Sequence, residues 1–185
     1  LRAQQGGRRI VVDVGTGSGA IALALAAEGD FTEVHATDIS ADALALAASN
    51  LSAIPEDRRH LLRFHDGALL APVLGLLGTR SCDTVVSNPP YIARSEAVQL
   101  PRLVRDWEPE VALFADDDGM AVIRALVPEA AEALVPGGLL AMEVDSRRAD
   151  LAAAAVAADG RFHDIETRLD LTGRPRFVVA RRQEQ

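Results

Sequence analysis

Short apolar runs alternate along the chain with longer stretches that carry apolar residues at helical spacing. The apolar runs predict five strands, at residues 9–14, 33–38, 60–65, 82–87 and 139–144. The amphipathic stretches predict helices at 18–28, after Ser40, at 120–134 and at 149–158. Because strands and helices alternate in this way, we expect an α/β fold, a doubly wound sheet with helices on both faces.

The end of the chain breaks this alternation. Residues 163–169 and 176–180 are predicted strands, and a link as short as 170–175 indicates an antiparallel hairpin. We therefore expect a mostly parallel, seven-stranded sheet within one domain, residues 1–185. A polar, proline-containing loop is predicted from Asn88 to about Asp116, and Pro136-Gly137-Gly138 is predicted as a turn into the fifth strand. Pro128 should kink or divide its helix.

The bulk composition limits the classes of protein. The 185 residues suit one α/β domain. No apolar run approaches the roughly 18 residues of a membrane helix, and the N-terminus has no signal-peptide core. A net charge of −8 argues against direct nucleic-acid binding, which usually requires a basic face. Cys82 is the single cysteine, and His60 and His65 should point to opposite faces of a strand. We expect a soluble, cytoplasmic protein without a metal.

A glycine-rich turn, Gly15-Thr16-Gly17-Ser18-Gly19, follows the first predicted strand. Ligands of doubly wound sheets bind beyond the carboxyl ends of the strands, where this turn lies. Glycines let the backbone approach a ligand closely, and amides at a helix start can face its oxygen atoms. Asp38 ends the second strand, where a carboxylate can accept hydrogen bonds from both ribose hydroxyls of an adenosine. These residues predict a nucleoside site.

Several interpretations of these segments stay open. The pattern Gly15-x-Gly17-x-x-Ala20 also fits the dinucleotide fingerprint, so a nicotinamide-dependent oxidoreductase is an alternative, as is a tight turn without a ligand. Asp13 either faces the amino-acid end of a cofactor or accepts hydrogen bonds from the amides of the turn. Asp66, which precedes Gly67 after the third strand, lies near the adenine edge or caps a helix.

The fourth predicted strand ends in Ser87-Asn88-Pro89-Pro90-Tyr91. Consecutive prolines have fixed φ angles and lack backbone donors, so this corner is stiff. The Asn88 side chain and the Pro89 backbone can then offer two carbonyl acceptors to a planar NH₂ group, with Tyr91 packed on its face. Such a grip orients the nitrogen for in-line attack on a sulfonium methyl group, an effect worth roughly a few kcal/mol. A proline turn that merely ends the strand is the alternative.

With both segments present, the sequence resembles the protein glutamine N(5)-methyltransferases that modify peptide chain release factors. The resemblance covers essentially the whole chain. It runs through Asp13–Ala22, Asp38–Ser40, Ser87–Ile92, Trp107–Pro109, Ala112–Leu113, Asp118–Met120, Pro136–Gly138 and Asp170–Arg176. The Asn-Pro-Pro-Tyr corner alone is shared with DNA adenine and rRNA guanine methyltransferases, and its combination with Glu108-Pro109 and the C-terminal hairpin is more specific.

The resemblance implies a class I, Rossmann-like methyltransferase fold, S-adenosylmethionine as cofactor and a release factor as protein substrate. It implies cofactor contacts for Gly15, Thr16, Gly17, Ser18, Gly19, Asp38, Ile39, Asp66, Gly67 and Asn88. Asn88, Pro89 and Tyr91 are the implied catalytic residues, and with Pro90 they are expected to hold the glutamine amide of a Gly-Gly-Gln tripeptide. Glu108 either contacts the substrate or orders its own loop.

The chain departs from the family pattern in three places. We expect the chain to lack the family's helical N-terminal docking domain and the segment that normally precedes the first strand. Glu143-Val144-Asp145 stands where the family usually has Glu-x-Gly before a glutamine, and Gly67 stands where a larger residue is common. Beside the oxidoreductase, two further classes stay open: an adenine or guanine exocyclic N-methyltransferase of nucleic acids, and a non-catalytic S-adenosylmethionine-binding module.

Overall fold

A computed structural model describes residues 7–93 and 114–184. In these ranges, seven strands form one sheet and two strands form a separate pair. The sheet consists of β1 (Ile10–Val14), β2 (Glu33–Asp38), β3 (Leu62–Asp66), β4 (Cys82–Ser87), β7 (Leu134–Glu143), β8 (Phe162–Leu169) and β9 (Pro175–Arg182). Its order is β3-β2-β1-β4-β7-β9-β8, and β9 runs antiparallel to both of its neighbours. The remaining pairings are parallel. The predicted fold and its C-terminal hairpin are confirmed.

Helices form the crossovers between the parallel strands. They are α1 (Ala20–Glu28), α2 (Ala41–Ser49), α3 (Glu56–Arg59), α4 (Ala71–Leu77), α5 (Asp116–Gly119), α6 (Ala121–Ala133) and α7 (Ala149–Asp159), with a 3-10 turn at Asn50–Ala53. Ser40 is the N-cap of α2, as predicted, and its hydroxyl accepts a hydrogen bond from the Ala43 amide at 3.2 Å. The chain therefore passes from the carboxyl ends of the strands into the N-terminal ends of the helices, and these ends form the site.

Apolar layers cover both faces of the sheet. Val12 and Val14 belong to the cluster that includes residues of α4, α6 and α7, whereas Val11 packs with residues of α1. All residues of β1 are buried, because its alternate side chains enter these two layers. This explains why the strand appears in the sequence as an unbroken apolar run apart from Asp13.

Strand β7 begins at Leu134, so the prediction of a strand start at Leu139 is wrong. Cys82 pairs with Leu134 and Thr84 with Leu139, and the register shifts between the two pairs. Pro136-Gly137-Gly138 is therefore an irregularity within β7 and not a turn before it. Because β7 begins at Leu134, helix α6 ends at Ala133. Pro128 lies inside this helix without dividing it.

The segment predicted as a loop from residue 88 to 116 contains strands at both ends. β5 (Ile92–Ala93) and β6 (Phe114–Ala115) form a parallel pair, and α5 follows at Asp116. Strands of this length have no periodicity from which a sequence could predict them. Residues 94–113 lie outside the described part of the chain, and Glu108 is among them.

The histidines differ from their predicted arrangement. His60 is the C-cap of α3 and precedes β3, so it does not share a strand with His65. His65 instead stacks on His35 of β2, with 2.8 Å between Nε2 of His65 and Nδ1 of His35. Within residues 7–93 and 114–184, no group of three or more His, Cys, Asp or Glu residues is arranged to hold a metal ion. No helix in those ranges is long and apolar enough to cross a membrane.

Candidate active site

A cavity of about 720 Å³ opens at the carboxyl ends of β1, β2 and β4. Among the residues predicted from the sequence, it is lined by Gly15, Thr16, Gly17, Ser18, Asp38, Ile39, Gly67, Asn88, Pro89 and Pro90. Gly19, Asp66 and Tyr91 are described by the structure but do not line the cavity. The fold thus brings most of the predicted glycine-turn, carboxylate and acceptor residues to one place.

The backbone of the glycine turn borders open space. Gly15 and Gly17 have φ angles of +70° and +55°, left-handed values that favour glycine. The amides of Gly15 and Thr16 both donate to the carbonyl of Thr37, at 2.9 and 3.0 Å, which fastens the turn to β2. A Cβ atom added to Gly15 or Gly17 would meet no protein atom within 4 Å. A ligand can therefore lie directly against this backbone.

Gly19 serves helix packing. Its φ angle is +83°, and an added Cβ would lie 2.9 Å from the Cβ of Ala47 in α2. The missing side chain therefore lets the start of α1 approach α2 closely. A contact between Gly19 and a cofactor stays a prediction.

The carboxylate of Asp38 stabilises the turn and is also accessible at the cavity. Its Oδ2 accepts a hydrogen bond from the Gly17 amide and its Oδ1 accepts one from the Ser40 amide, each at 2.9 Å. Because each carboxylate oxygen has two lone pairs, both can accept a further hydrogen bond from a ligand hydroxyl. Asp38 thus joins the glycine turn to the start of α2 and retains acceptor capacity at the cavity.

Asp13 lies beneath the turn and is only 1% exposed. Its Oδ2 accepts hydrogen bonds from the Thr16 hydroxyl at 2.7 Å and from the Ala22 amide at 3.1 Å. Burial raises the pKa of Asp13 to about 6, although these two hydrogen bonds oppose the rise. Of the two interpretations of Asp13, acceptance of hydrogen bonds from the turn and the helix start is therefore present in the structure.

The end of β3 supplies another wall of the cavity. The Gly67 amide donates to the carbonyl of Asp38 at 3.0 Å. An added Cβ on Gly67, whose φ is +146°, would lie 2.6 Å from Cγ of Pro72. A larger residue would therefore displace the start of α4. Leu69 also lines the cavity, and its carbonyl accepts a hydrogen bond from the Thr37 hydroxyl at 2.7 Å.

Asp66 ends β3 beside Asp38 but stays exposed and outside the cavity wall. It does not cap α4, because the N-cap of that helix is Leu70, which makes no side-chain capping bond. The interpretation of Asp66 as a helix cap is therefore wrong. Its contact with a cofactor stays a prediction.

The Asn-Pro-Pro corner faces the glycine turn across the cavity. Ser87 pairs with Val14 at the end of β1, and the Ser87 hydroxyl donates to the Val14 carbonyl at 2.7 Å. This buried bond holds the ends of the two strands together. Asn88 is exposed on the cavity wall, whereas Pro89 is buried. The corner is therefore fixed in the protein while its amide side chain stays accessible.

Tyr91 ends this corner and directly precedes β5. Its ring is half-buried, and burial raises the pKa of its hydroxyl. The carboxylates of Glu143 and Asp145 add to the rise, while the guanidinium of Arg176 opposes it. The Tyr91 side chain does not line the cavity that the glycine turn borders.

Helix α6 provides a wall that the sequence did not predict. Ala121, Val122 and Ala125 line the cavity from its first turns. These residues are small and apolar, and nothing in their type distinguishes them from the core residues of the same helix. Only the helical spacing of Val122 and Ala125, on the side away from the fully buried Ile123, could have indicated a separate surface.

A larger cavity, of about 1280 Å³, lies at the amino ends of the strands. Its walls include Arg9, Asp30, Asp83 and Gly137. None of the predicted cofactor or acceptor residues within 7–93 and 114–184 lines it. The cavity at the carboxyl ends is therefore the candidate active site.

The family of the chain follows from a comparison with known proteins. A profile of the family described as "Methyltransferase small domain" matches residues 2–105, which is more than half of the chain. The chain belongs to this family. The matched range includes the glycine turn, Asp38 and the complete Asn-Pro-Pro-Tyr corner.

Sequence relatives confirm the predicted resemblance. The release factor glutamine methyltransferase of Deinococcus radiodurans is 45% identical over 172 residues, which cover 93% of this chain and 58% of that protein. Further relatives of the same description are 38–41% identical. The chain thus spans a little more than half the length of the relatives that it matches.

Solved structures support the methyltransferase fold. The ribosomal protein L11 methylase of Lactobacillus delbrueckii subsp. bulgaricus aligns with a TM-score of 0.64 at 22% identity, over 98% of this chain and 73% of that one. An RNA methyltransferase from Salinibacter ruber, in complex with S-adenosyl-L-homocysteine, aligns with a TM-score of 0.58 at 18% identity, over 96% and 82%. At these identities the likeness concerns the fold.

Proposed function

We propose that this chain transfers a methyl group from S-adenosylmethionine to the side-chain amide nitrogen of a glutamine in a peptide chain release factor, within its Gly-Gly-Gln motif. One observation carries the proposal: Asn88 is exposed on the wall of the cavity that the glycine turn also lines. An amide held by Asn88 would therefore lie beside a donor held by Gly15–Gly17. The names of the relatives support a release factor as the acceptor protein.

The cavity residues fit S-adenosylmethionine. Gly15 and Gly17 have no Cβ atom, so the cofactor can approach their backbone directly. The oxygens of Asp38 have lone pairs for the ribose hydroxyls, and Ile39, which is 58% exposed, offers an apolar surface for the adenine. When bound, the cofactor supplies an electrophilic methyl group on a sulfonium. The complex of the Salinibacter ruber methyltransferase with S-adenosyl-L-homocysteine supports the same class of ligand.

The acceptor corner supplies orientation. An amide nitrogen is a poor nucleophile because its lone pair is delocalised into the carbonyl. Asn88 and the backbone carbonyl of Pro89 would accept its two hydrogens, which aims the nitrogen and stabilises the positive charge that develops on it. Ser87 holds this corner to β1 through its buried hydrogen bond, which fixes the start of the corner before the substrate binds. A strong general base is not required if the proton leaves after the transfer.

A competition between acceptors tests the substrate class. The chain is incubated with donor labelled in its methyl group, together with an intact release factor and with DNA and rRNA in equal amounts. We expect label in the protein fraction and in a single glutamine. Label in adenine or guanine would instead identify a nucleic-acid methyltransferase, and label in no acceptor would identify a binding module.

Calorimetry tests the cofactor separately. We expect a binding isotherm with S-adenosylmethionine and none with a nicotinamide dinucleotide, because the Asn88 corner has no use in hydride transfer. Binding of the dinucleotide alone would favour the oxidoreductase.

A further inference from the structure

The segment after β3, residues 67–70, contains a backbone conformation that its residue type disfavours. Leu69 has a φ angle of +48°, in the left-handed region, although it is not a glycine. The same residue is partly buried and lines the cavity at the carboxyl ends of the strands. Such a conformation persists only where surrounding contacts determine it. The contacts of this segment therefore set the shape of one cavity wall.

Thr37 of β2 provides the first of these contacts. Its hydroxyl donates to the carbonyl of Leu69 at 2.7 Å, and the threonine is fully buried, with 0% exposure. The backbone carbonyl of Thr37 accepts hydrogen bonds from the amides of Gly15 and Thr16. Thr37 therefore joins two walls of the cavity, because its carbonyl binds the glycine turn and its hydroxyl binds the segment after β3.

Glu129 of α6 provides the second contact. Its Oε2 accepts a hydrogen bond from the Leu70 amide at 2.9 Å. Leu70 is the N-cap of α4, makes no side-chain capping bond and is buried in the core. The start of α4 is therefore held by an acceptor from another helix. Ala121 and Val122 of that same helix line the cavity, so the contact joins two further parts of its wall.

We propose that Thr37 and Glu129 are positioning residues, which hold residues 67–70 as a preformed wall for the nucleoside end of the methyl donor. The proposal rests on the proposed function for the identity of this cofactor. The Gly67 amide donates to the Asp38 carbonyl at 3.0 Å, so the segment lies beside the residue expected to bind the ribose. A wall that is ordered before binding does not lose conformational entropy when the ligand binds, which favours affinity.

Binding of S-adenosylmethionine in the absence of an acceptor tests the role of Thr37. Thr37→Val replaces the hydroxyl with a methyl group of similar size and should raise the Kd roughly threefold to tenfold, the net value of one hydrogen bond. Thr37→Ser keeps the hydroxyl and should restore most of the affinity. Thr167→Val, at an exposed position of β8, is the matched control and should leave the Kd unchanged. Isothermal titration calorimetry measures all of these proteins.

The same measurement tests the contact from α6. Glu129→Ala removes the acceptor of the Leu70 amide and should raise the Kd by a similar factor. Glu129→Gln keeps an acceptor oxygen and should have a smaller effect. Glu132 is exposed on the same helix, so Glu132→Ala is the matched control. Because Glu129 is only partly buried, its variants carry the test if Thr37→Val does not fold.

A purely structural role of the two residues gives a different result. In that case Thr37→Val and Glu129→Ala would lower the free energy of unfolding in urea, but the folded variants would bind S-adenosylmethionine with the wild-type Kd. This outcome would overturn the proposal. With a release factor as acceptor, we expect a raised KM for S-adenosylmethionine and a wild-type kcat at saturation, because neither substitution changes the acceptor corner.

The readouts separate this inference from the proposed function. If the wild type binds S-adenosylmethionine but methylates no release factor, the acceptor is wrong, and the Kd values of the variants still decide the positioning role. If the wild type methylates the release factor while Thr37→Val and Glu129→Ala bind the donor as tightly as it does, the proposed function stands and the positioning role is wrong. A wild type that does not bind the donor would contradict both.

Discussion

At the residue scale, Asp38 has two kinds of partner. The amides of Gly17 and of Ser40, the N-cap of α2, each donate to one of its two oxygens, and Asp38 also lines the cavity, where a ligand can contact it. A substitution at Asp38 therefore acts on the ligand directly and also on the turn beneath the ligand. Asp150, an exposed carboxylate in the first turn of α7, lies outside the cavity wall and provides a matched control.

Asp38→Ala should weaken the binding of S-adenosylmethionine by about 1–3 kcal/mol, the scale of losing hydrogen bonds to a charged group. Asp150→Ala should have a much smaller effect. Isothermal titration calorimetry of both variants measures the difference. An unchanged dissociation constant in Asp38→Ala would remove Asp38 from the cofactor site.

The accuracy of the residue predictions depends on the kind of signal. The glycine turn and Asn88 could be predicted to lie at one cavity because their conformational and chemical properties are local and the parallel strands place them at one edge. Ala121 and Val122 carry no such signal, and their place in the wall depends on how α6 crosses the sheet. Glu108 lies outside the described residues, and its role stays a prediction.

At the scale of elements, packing between α1 and α2 depends on Gly19. Gly19→Ala adds a Cβ that is crowded by Ala47 and also places alanine at a φ of +83°. Gly160 ends α7 with a similar φ of +78°, and a Cβ there would meet nothing within 4 Å. The pair of variants therefore separates crowding from backbone strain.

Gly160→Ala should lower the free energy of unfolding by about 1–2 kcal/mol through backbone strain. Gly19→Ala should lower it by a further 1–3 kcal/mol or so, because the helices must move apart. Urea denaturation of both variants measures this difference. Equal losses would show that contact with Ala47 does not limit the approach of the helices.

Element types were predictable where periodicity was strong. The first four strands and the terminal hairpin were placed within a few residues, because each has several residues of one pattern. The prediction of a turn at Pro136-Gly137-Gly138 was wrong because the same residues favour both a turn and an irregularity within a strand. The pairing of the flanking Leu134 and Leu139 with β4 is a long-range contact, which no local pattern reveals.

At the scale of the whole molecule, stability depends on pH through buried and paired carboxylates. Burial raises the pKa of Asp13 from 3.8 to about 6, so between these values the folded state binds more protons than the unfolded state. Stability from this group therefore falls as the pH rises through that window. Glu33 acts oppositely, because Arg8 lowers its pKa from 4.5 to about 2 and its contribution is lost as the pH falls.

Asp13→Asn should remove the pH dependence of stability that Asp13 contributes. The free energy of unfolding of wild type, relative to the variant, should fall by on the order of 3 kcal/mol between about pH 4 and pH 7. Thermal or urea unfolding across this range measures it, and the contribution of Glu33 cancels in the difference. A constant difference across the range would show that Asp13 keeps an ordinary pKa.

The central claim is that the corner at Asn88 presents an amide nitrogen to a methyl donor held by the glycine turn. Mass spectrometry of an intact release factor, incubated with saturating S-adenosylmethionine and either wild type or Asn88→Ala, tests it most directly. Because Asn88 is exposed, the variant should fold as the wild type does. We expect one added methyl group on one glutamine with wild type and none with Asn88→Ala. Equal methylation by both proteins, or none by the wild type, would contradict the account.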